Sequence, residues 1–347
     1  MSFYIKRPKA PHKLRREAPR VKHAQHGVAL ITALLIAALV TVTAVAMASR
    51  QQLDIRRTGN MLEADQAYMY ALAAETWASQ ILQQDRQTTQ IDTLNEEWAT
   101  KLPPVPIEGG VISGSIEDLQ GRFNLNNLID ATNAPDQDQN RIFQRILAQV
   151  SLVEEKVQLS PFVANRVTDW IDPDLNSLAD GAEDLNYLGL DLPYRAANRL
   201  MASPSELAAV AGLSLTDVAA LAPFVTALSP VAAAASATQV NVNTAPEMVL
   251  MSLHEDITPR IAAELAEYRI DTPFEDTADF VTKLNNDYQF ALTSTEVATL
   301  TRMISVSSDY FLITSDAAIG RTTLRMYSLL ARTGTDINVI RRGIGSY

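Results

Sequence analysis

The feature that most constrains this chain is an uninterrupted apolar run. Between Val28 and Ala48 no residue is charged, and only Thr32, Thr41 and Thr43 carry a polar side chain. Wound as a helix, this stretch spans roughly 30 Å, the hydrocarbon thickness of a bilayer. A single membrane crossing is therefore expected. Before it stand Lys6, Arg7, Lys9, Lys13, Arg15, Arg16, Arg20 and Lys22, opposed only by Glu17. Basic residues hold their flank on the cytoplasmic side, so the sequence predicts an N-terminus inside and the bulk of the chain exported.

Two readings of the run stay open on the residues alone. The small residues of Ala46-Met47-Ala48 fit the cleavage site of a conventional signal peptide, which would release a secreted or periplasmic protein starting at Ser49. The alternative is a helix left whole. Past Arg50, apolar and small residues recur at Leu53, Met61, Ala64, Ala67, Ala71, Ala74, Ala78 and Ile81/Leu82, mostly in steps of three or four. Gly59 is the one Gly, and there is no Pro, between Val28 and Gln84, so a single helix of roughly 80 Å is expected.

A basic leader ending in His26-Gly27, then a helix with an apolar and an amphipathic half, resembles the type IV pilin-like proteins. In that class a prepilin peptidase cuts after the Gly, so the resemblance implies cleavage between Gly27 and Val28. The sequence departs from the class in its long leader, in His26 where Lys or Arg is usual, in Val28 where Phe or Met is usual, and in Thr32 where the fifth mature residue is usually Glu. A carboxylate in lipid costs several kcal/mol unless it meets a positive partner. In pilus assemblies that partner is the N-terminal amine of a neighbouring subunit. A subunit with no neighbour above it gains nothing from the Glu, so Thr32 marks a filament-tip position.

Composition narrows the chemistry. The chain has no Cys, and of its four His only His254 lies beyond the leader. That removes thiolate chemistry, histidine-cluster zinc sites and most His-based catalysis. The leader carries eight basic residues against one acid, or +7, and removing that from the net −11 leaves −18 beyond it. Such a charge repels nucleic acid and attracts cations.

The expected fold class is α+β: the long helix packed on a small antiparallel sheet, with a large all-α insertion of two helix-hairpin-helix or SAM-like lobes. In residue terms this is a leader 1–27, a transmembrane half-helix 28–48 and an exported half 49–100. A pilin-like α/β domain follows over 101–129 and 303–340, and an inserted helical domain over 130–302 with lobes about 130–232 and 239–302. Lys101 to Pro106 reads as a loop, because clustered prolines forbid a helix or a central strand. Gly110 to Asp118 reads as a strand, with a second near Arg122 to Leu125. Helices are expected at Asn140–Val150, Ser160–Ile171, Ser203–Ala211, Leu215–Leu228 and Arg260–Arg269. Strand character returns at Ile304–Ser307, Tyr310–Thr314 and Thr322–Arg332, the last alternating as an edge strand. The small-residue stretch Val231 to Thr238 reads as a linker.

Asn241-Val242-Asn243-Thr244-Ala245-Pro246-Glu247, with the helices that follow, resembles a helix-hairpin-helix. Such motifs hold phosphate on backbone N–H groups of a Gly-rich hairpin. Here the hairpin, His254 to Thr258, has no Gly and its surroundings are acidic, so a packing scaffold is the expected role and no nucleic-acid partner is expected.

The strongest chemical signal runs from Asp169 to Asp184, with six acids and no Lys or Arg. Counted from Asp172, the oxygen-bearing Asp174, Asn176, Asp180 and Glu183 fall at positions 3, 5, 9 and 12, the spacing of an EF-hand loop, although Ser177 stands where such loops place Gly. Trp170, Ile171, Leu175, Leu178 and Leu185 interleave with them and would draw carboxylates into partial burial. Buried carboxylates without a counter-ion are too costly to persist. Oxygen-only donors favour Ca2+ over zinc or copper, and the candidate ligands are Asp169, Asp172, Asp174, Asn176, Asp180, Glu183 and Asp184. A poorer second metal candidate is Asp136 with Asp138, whose simpler reading is a cap for the helix near Asn140. Acid pairs also cleave glycosides, but such sites need aromatic-lined clefts and aromatics are 6% of the chain; no enzyme activity is expected.

Three features together resemble the general secretion pathway protein K family, the large minor pseudopilins of type II secretion. They are the leader with its missing Glu; Asp169-Trp170-Ile171-Asp172-Pro173-Asp174 with Gly181-Ala182-Glu183-Asp184 and Tyr187; and Asn241-Val242-Asn243-Thr244-Ala245. The resemblance implies an inner-membrane protein with its bulk in the periplasm and calcium in the helical insertion. It also implies a tip complex with minor pseudopilins I and J, contacts with minor pseudopilin H and the major pseudopilin, and a filament that drives folded exoproteins through the outer-membrane secretin.

Overall fold

The computed structural model describes residues 26–229 and 237–345. The expected leader before His26 and most of the linker 231–238 lie outside the described residues. The chain divides into two compact units, the first ending at Gly59 and the second beginning at Asn60.

Helix α1 (His26–Thr88) is one continuous helix of 63 residues. Among the described residues it is the one helix long and apolar enough to cross a membrane. From Val28 to Thr58 its side chains are exposed. Its three hydroxyls turn back on the helix: Thr32 donates to the Val28 and Ala29 carbonyls, Thr41 to Ala37 and Thr43 to Leu39. No polar side chain of the run is left for hydrocarbon to face.

In the second unit the helix ends at Thr88, close to the Gln84 expected from the residues and short of the 100 that bounds the exported half. The following loop carries one short 3-10 turn, Glu97–Ala99. Strands β1 (Leu102–Ile107) and β2 (Gly110–Asp118) form a hairpin. The chain then enters a mostly helical block: β3 (Phe123–Asn124), α2 (Gln137–Val153), α3 (Val163–Ile171), α4 (Asp184–Leu188), α5 (Leu215–Leu221), β4 (Val225–Thr226), β5 (Val240–Asn241), α6 (Glu247–Leu253), α7 (Pro259–Asp271), α8 (Thr277–Asp287) and α9 (Ser294–Met303). It returns through β6 (Ile304–Ser305) to β7 (Tyr310–Ile319), β8 (Thr322–Thr333) and β9 (Asp336–Ile344).

The main sheet runs in the order β1-β2-β7-β8-β9, with antiparallel neighbours throughout. Asp118 of β2 lies opposite Phe311 of β7, and Gly110 opposite Ile319. The helical block is thus spliced between two hydrogen-bonded neighbours. Small residues let α1 lie close on this sheet: Ala67 packs with Ala317 and Ile319, and Ala78 and Leu82 with Trp98, Phe311, Ile313 and Leu330. Glu75 on the same face is buried and accepts from Ser328 and bidentately from Arg342.

Several expectations are corrected. The proline-rich 102–106 is an edge strand, not a loop, since an outermost strand has no partner on one side for the N–H that Pro lacks. β8 is an inner strand because β9, which was not expected, covers its far edge. The strand expected near Arg122–Leu125 shrinks to β3, which pairs in parallel with β4 outside the main sheet. Phe123, Leu125, Leu128 and Ile129 join the core of the helical block, which therefore takes in residues ahead of the expected 130, while Leu119 packs with Tyr310, Leu312 and Leu329 of the sheet. The helix expected over Leu215–Leu228 stops at Leu221, because the next residues pair as β4. That expected over Ser203–Ala211 is a 3-10 turn, Pro204–Ala209.

Buried side chains from Phe123 to Ile304 form one hydrophobic cluster within the block. A polar latch fastens the block to the sheet. The Asp118 carboxylate at the end of β2 accepts from Thr244 Oγ1 at 2.5 Å, Ser308 Oγ at 2.6 Å and Asn241 Nδ2 at 3.2 Å. Burial pushes this carboxyl up to about 6, although Ser308 and Thr244 donate to it and hold it down. Asn243 exchanges two hydrogen bonds with the Phe274 backbone. The Asn241 to Thr244 motif thus serves as a packing joint.

Candidate metal centre

The acidic loop between α3 and α4 is organised by Asp169. From the buried last turn of α3 its carboxylate accepts from Ser177 Oγ at 3.1 Å, Leu178 N at 3.1 Å and Ala182 N at 2.7 Å. Burial nevertheless raises its pKa. The fold leaves no room for a side chain at Gly181, where a Cβ would lie 1.9 Å from Asp169 Oδ2. Asp169 therefore shapes the loop from inside, a role the sequence reading had given to a ligand.

Asp172, Asp174 and Glu183 are brought together: one carboxylate oxygen from each lies within 4.8 Å of the others. Asp172 is 2% and Glu183 5% exposed. Asp172 Oδ1 and both oxygens of Glu183 are buried without a hydrogen-bond donor. Among the described residues no Lys, Arg or His forms an ion pair with any of the three. Burial and the repulsion of Asp174 and Asp169 push Asp172 up to about 6. Burial and the repulsion of Asp169, Asp172 and Asp174 push Glu183 up to about 7. Three converging carboxylates with orphaned buried oxygens fit a hard cation. Oxygen donors alone suit Ca2+, which takes six to eight of them.

The other expected ligands are placed differently. Asn176 is exposed, and its N–H donates to Asp174 Oδ1 at 2.7 Å. Asp180 is exposed and left-handed at φ 53°, with its backbone carbonyl on Arg166. Asp184 accepts from Ala196 N and pairs with Arg195 at 3.1 Å. Of the positions in the EF-hand count, the structure brings 1, 3 and 12 together and leaves the side chains of 5 and 9 exposed. Asn198, which the spacing gave no reason to consider, donates from its backbone to the Trp170 carbonyl and from Nδ2 to that of Asp174; its Oδ1 is buried without a donor. Trp170, Tyr187 and Tyr194 pack beneath the loop with ring centroids 5.2 to 6.3 Å apart.

Asp136 and Asp138 do not assemble a second ligand set. Asp136 caps α2 by accepting from Asp138 N and Gln139 N, and Arg302 reaches it at 3.4 Å. Asp138 pairs with Arg302 and with Arg141, each at 2.9 Å. Their charge is met by two guanidiniums.

Family models described as "Type II secretion system (T2SS), protein K" match residues 121–230 and 240–296. The type II secretion system protein K of Pseudomonas aeruginosa is 37% identical over 338 residues, covering 94% of each chain. That of Aeromonas hydrophila is 34% identical over 322 residues, covering 89% of this chain and 93% of the relative. A crystal structure of the GspK-GspI-GspJ complex from enterotoxigenic Escherichia coli contains a chain that superposes with a TM-score of 0.71 at 24% identity, over 84% of this chain and all of that one. With a relative of that identity aligned along nearly its whole length, and the fold shared, the chain belongs to the type II secretion system protein K family.

Proposed function

We propose that this minor pseudopilin of type II secretion sits at the tip of the periplasmic pseudopilus, with α1 as both its lipid anchor and its filament stem. In this reading the chain enters the inner membrane once, N-terminus in the cytoplasm, and is cut between Gly27 and Val28. The observation that carries it is α1 itself, continuous from the apolar run through Ala48 to the face bearing Ala67, Ala78 and Leu82. A cut at Ala48 would sever that helix. Thr32 supports the tip position, since its hydroxyl is satisfied within the helix and asks nothing of a neighbour.

The partners proposed are pseudopilins of the I and J kind, the chains that accompany GspK in the superposed complex. The helical block, spliced between β2 and β7, is read as two lobes on a shared core, divided near residues 230–236 where the two matched segments part. Asp172, Asp174 and Glu183 are assigned as calcium ligands, with Asp169 positioning them; bound calcium would supply the positive charge that the loop lacks. No catalytic role is assigned to these carboxylates.

Intact-mass measurement of the exported chain tests the reading, with Val28 expected as first residue. A mature chain starting at Ser49 would overturn it in favour of a soluble calcium-binding protein released by a conventional signal peptide. Co-purification with pseudopilins I and J, with and without EDTA, tests the tip complex.

A further inference from the structure

A second group of acids lies well away from the loop between α3 and α4, where α1 gives way to the sheet. Asp85 comes from the last turns of α1, Asp92 and Glu96 from the loop that follows, and one carboxylate oxygen from each lies within 4.8 Å of the others. Asp92 is 1% exposed. Its Oδ2 accepts from Ser308 N at 2.7 Å and from Arg332, while its Oδ1 is buried with no donor. Glu96 is held by Thr89 Oγ1, Thr93 N and Trp98 Nε1. Arg332 of β8, 1% exposed, also reaches Asp85 at 3.4 Å. Three carboxylates therefore share one guanidinium. Asp118 and Asp309 add negative charge on the sheet side, and Arg332 and then Arg86 act on Asp309.

An excess of buried negative charge is unstable unless something positive enters. There is a way in. A cleft of about 420 Å³, lined by Trp77, Gln84, Asp85, Thr89 and Glu96 among others, opens onto two of the three acids. We infer that Asp85, Asp92 and Glu96 form a second divalent-cation site, of the oxygen-ligated calcium class, at the foot of this cleft. Asp92 is also the joint of this region. Its N–H donates to the Val306 carbonyl, and its own carbonyl accepts from Asn241 Nδ2 at 3.0 Å. A cation held here would fasten the end of α1 to the inserted block as well as to β8.

Calcium titration of the full-length protein in detergent, after chelation, tests this with the metal alone. The wild-type chain is expected to bind two ions, Asp174→Asn one, and Asp174→Asn with Asp85→Asn none. Terbium added to the Asp174→Asn chain should emit on excitation of Trp98, whose Nε1 lies 2.7 Å from Glu96 Oε2, and Trp98→Phe should cut that emission about tenfold. This optical readout does not depend on Asp85→Asn folding. An Asp174→Asn chain that binds no ion overturns the inference and leaves Arg332 as the counter-charge of the acids it reaches. An ion that survives Asp85→Asn, or terbium emission that survives loss of both Trp98 and Trp77 of the same cleft, overturns it too. The two sites fail separately: loss of the only ion in Asp174→Asn leaves the α3–α4 site standing, and retention of a single ion unchanged removes that site instead.

Discussion

The loop of Asp172, Asp174 and Glu183 and the pair Asp136 and Asp138 are both groups of carboxylates, yet they end in opposite states. Arg141 sits one helical turn from Asp138 on α2, and Arg302 arrives from α9. The loop has no such donor, and its carboxyls are pushed up to about 6 and 7. What separates the two sets of acids is the supply of counter-charge by neighbouring elements, not the density of acids.

The largest expected effect that would break this contrast is metal removal. EDTA should lower the melting temperature by about 10 °C, taking a site filled well above its dissociation constant; scanning fluorimetry with and without calcium reads it directly. Next, Glu183→Gln should lower the melting temperature in calcium by about 8 °C and leave it unchanged or higher in chelator, since a neutral amide relieves repulsion there. Equal losses in both conditions would make Glu183 a packing residue only.

Acidity sharpens the comparison further. Without metal, Asp172 and Glu183 hold protons in the folded chain that the unfolded chain has released, from their ordinary values of 3.8 and 4.5 up to about 6 and 7. Stability in chelator should therefore fall as pH rises through that window, by about 5 °C between pH 5 and pH 7.5. In saturating calcium it should rise instead, because the cation displaces those protons. The smallest effect is expected at the other pole. Asp138→Asn breaks half-exposed ion pairs worth 0 to about 1 kcal/mol and should shift melting by about 2 °C, with calcium stoichiometry unaltered.

How far the sequence displays these features depends on how local their causes are. Helix α1 was legible because an unbroken apolar run and alanines at helical spacing need no distant partner to be read. The convergence of Asp172 and Glu183 was legible because the first and twelfth positions of such a loop are neighbours in space. Asn176 and Asp180 misled, since Asp169 draws the Leu178 and Ala182 amides inward and turns the intervening residues to solvent. β9 alternates along Asp336–Ile344 in its burial, but its inward positions are Ile337, Val339, Arg341 and Gly343 while Ile340 and Ile344 face out, so residue type carries no period-two signal there and β8 reads as an edge. The two-residue parallel pairs β3 with β4 and β5 with β6 join residues far apart in the chain, and no local pattern announces them. The cluster around Asp92 is hidden for the same reason, because Arg332 and Ser308 come from the opposite side of the insertion.

The splice between β2 and β7 also sets a timetable. The surface of α1 at Ala67 is covered by Ala317 and Ile319, which a ribosome adding about 5–20 residues per second reaches roughly 10 to 50 s later. Through that interval the stem lacks β7 and β8 to lie on. The last strands to be synthesised are thus the ones that seal the part made first.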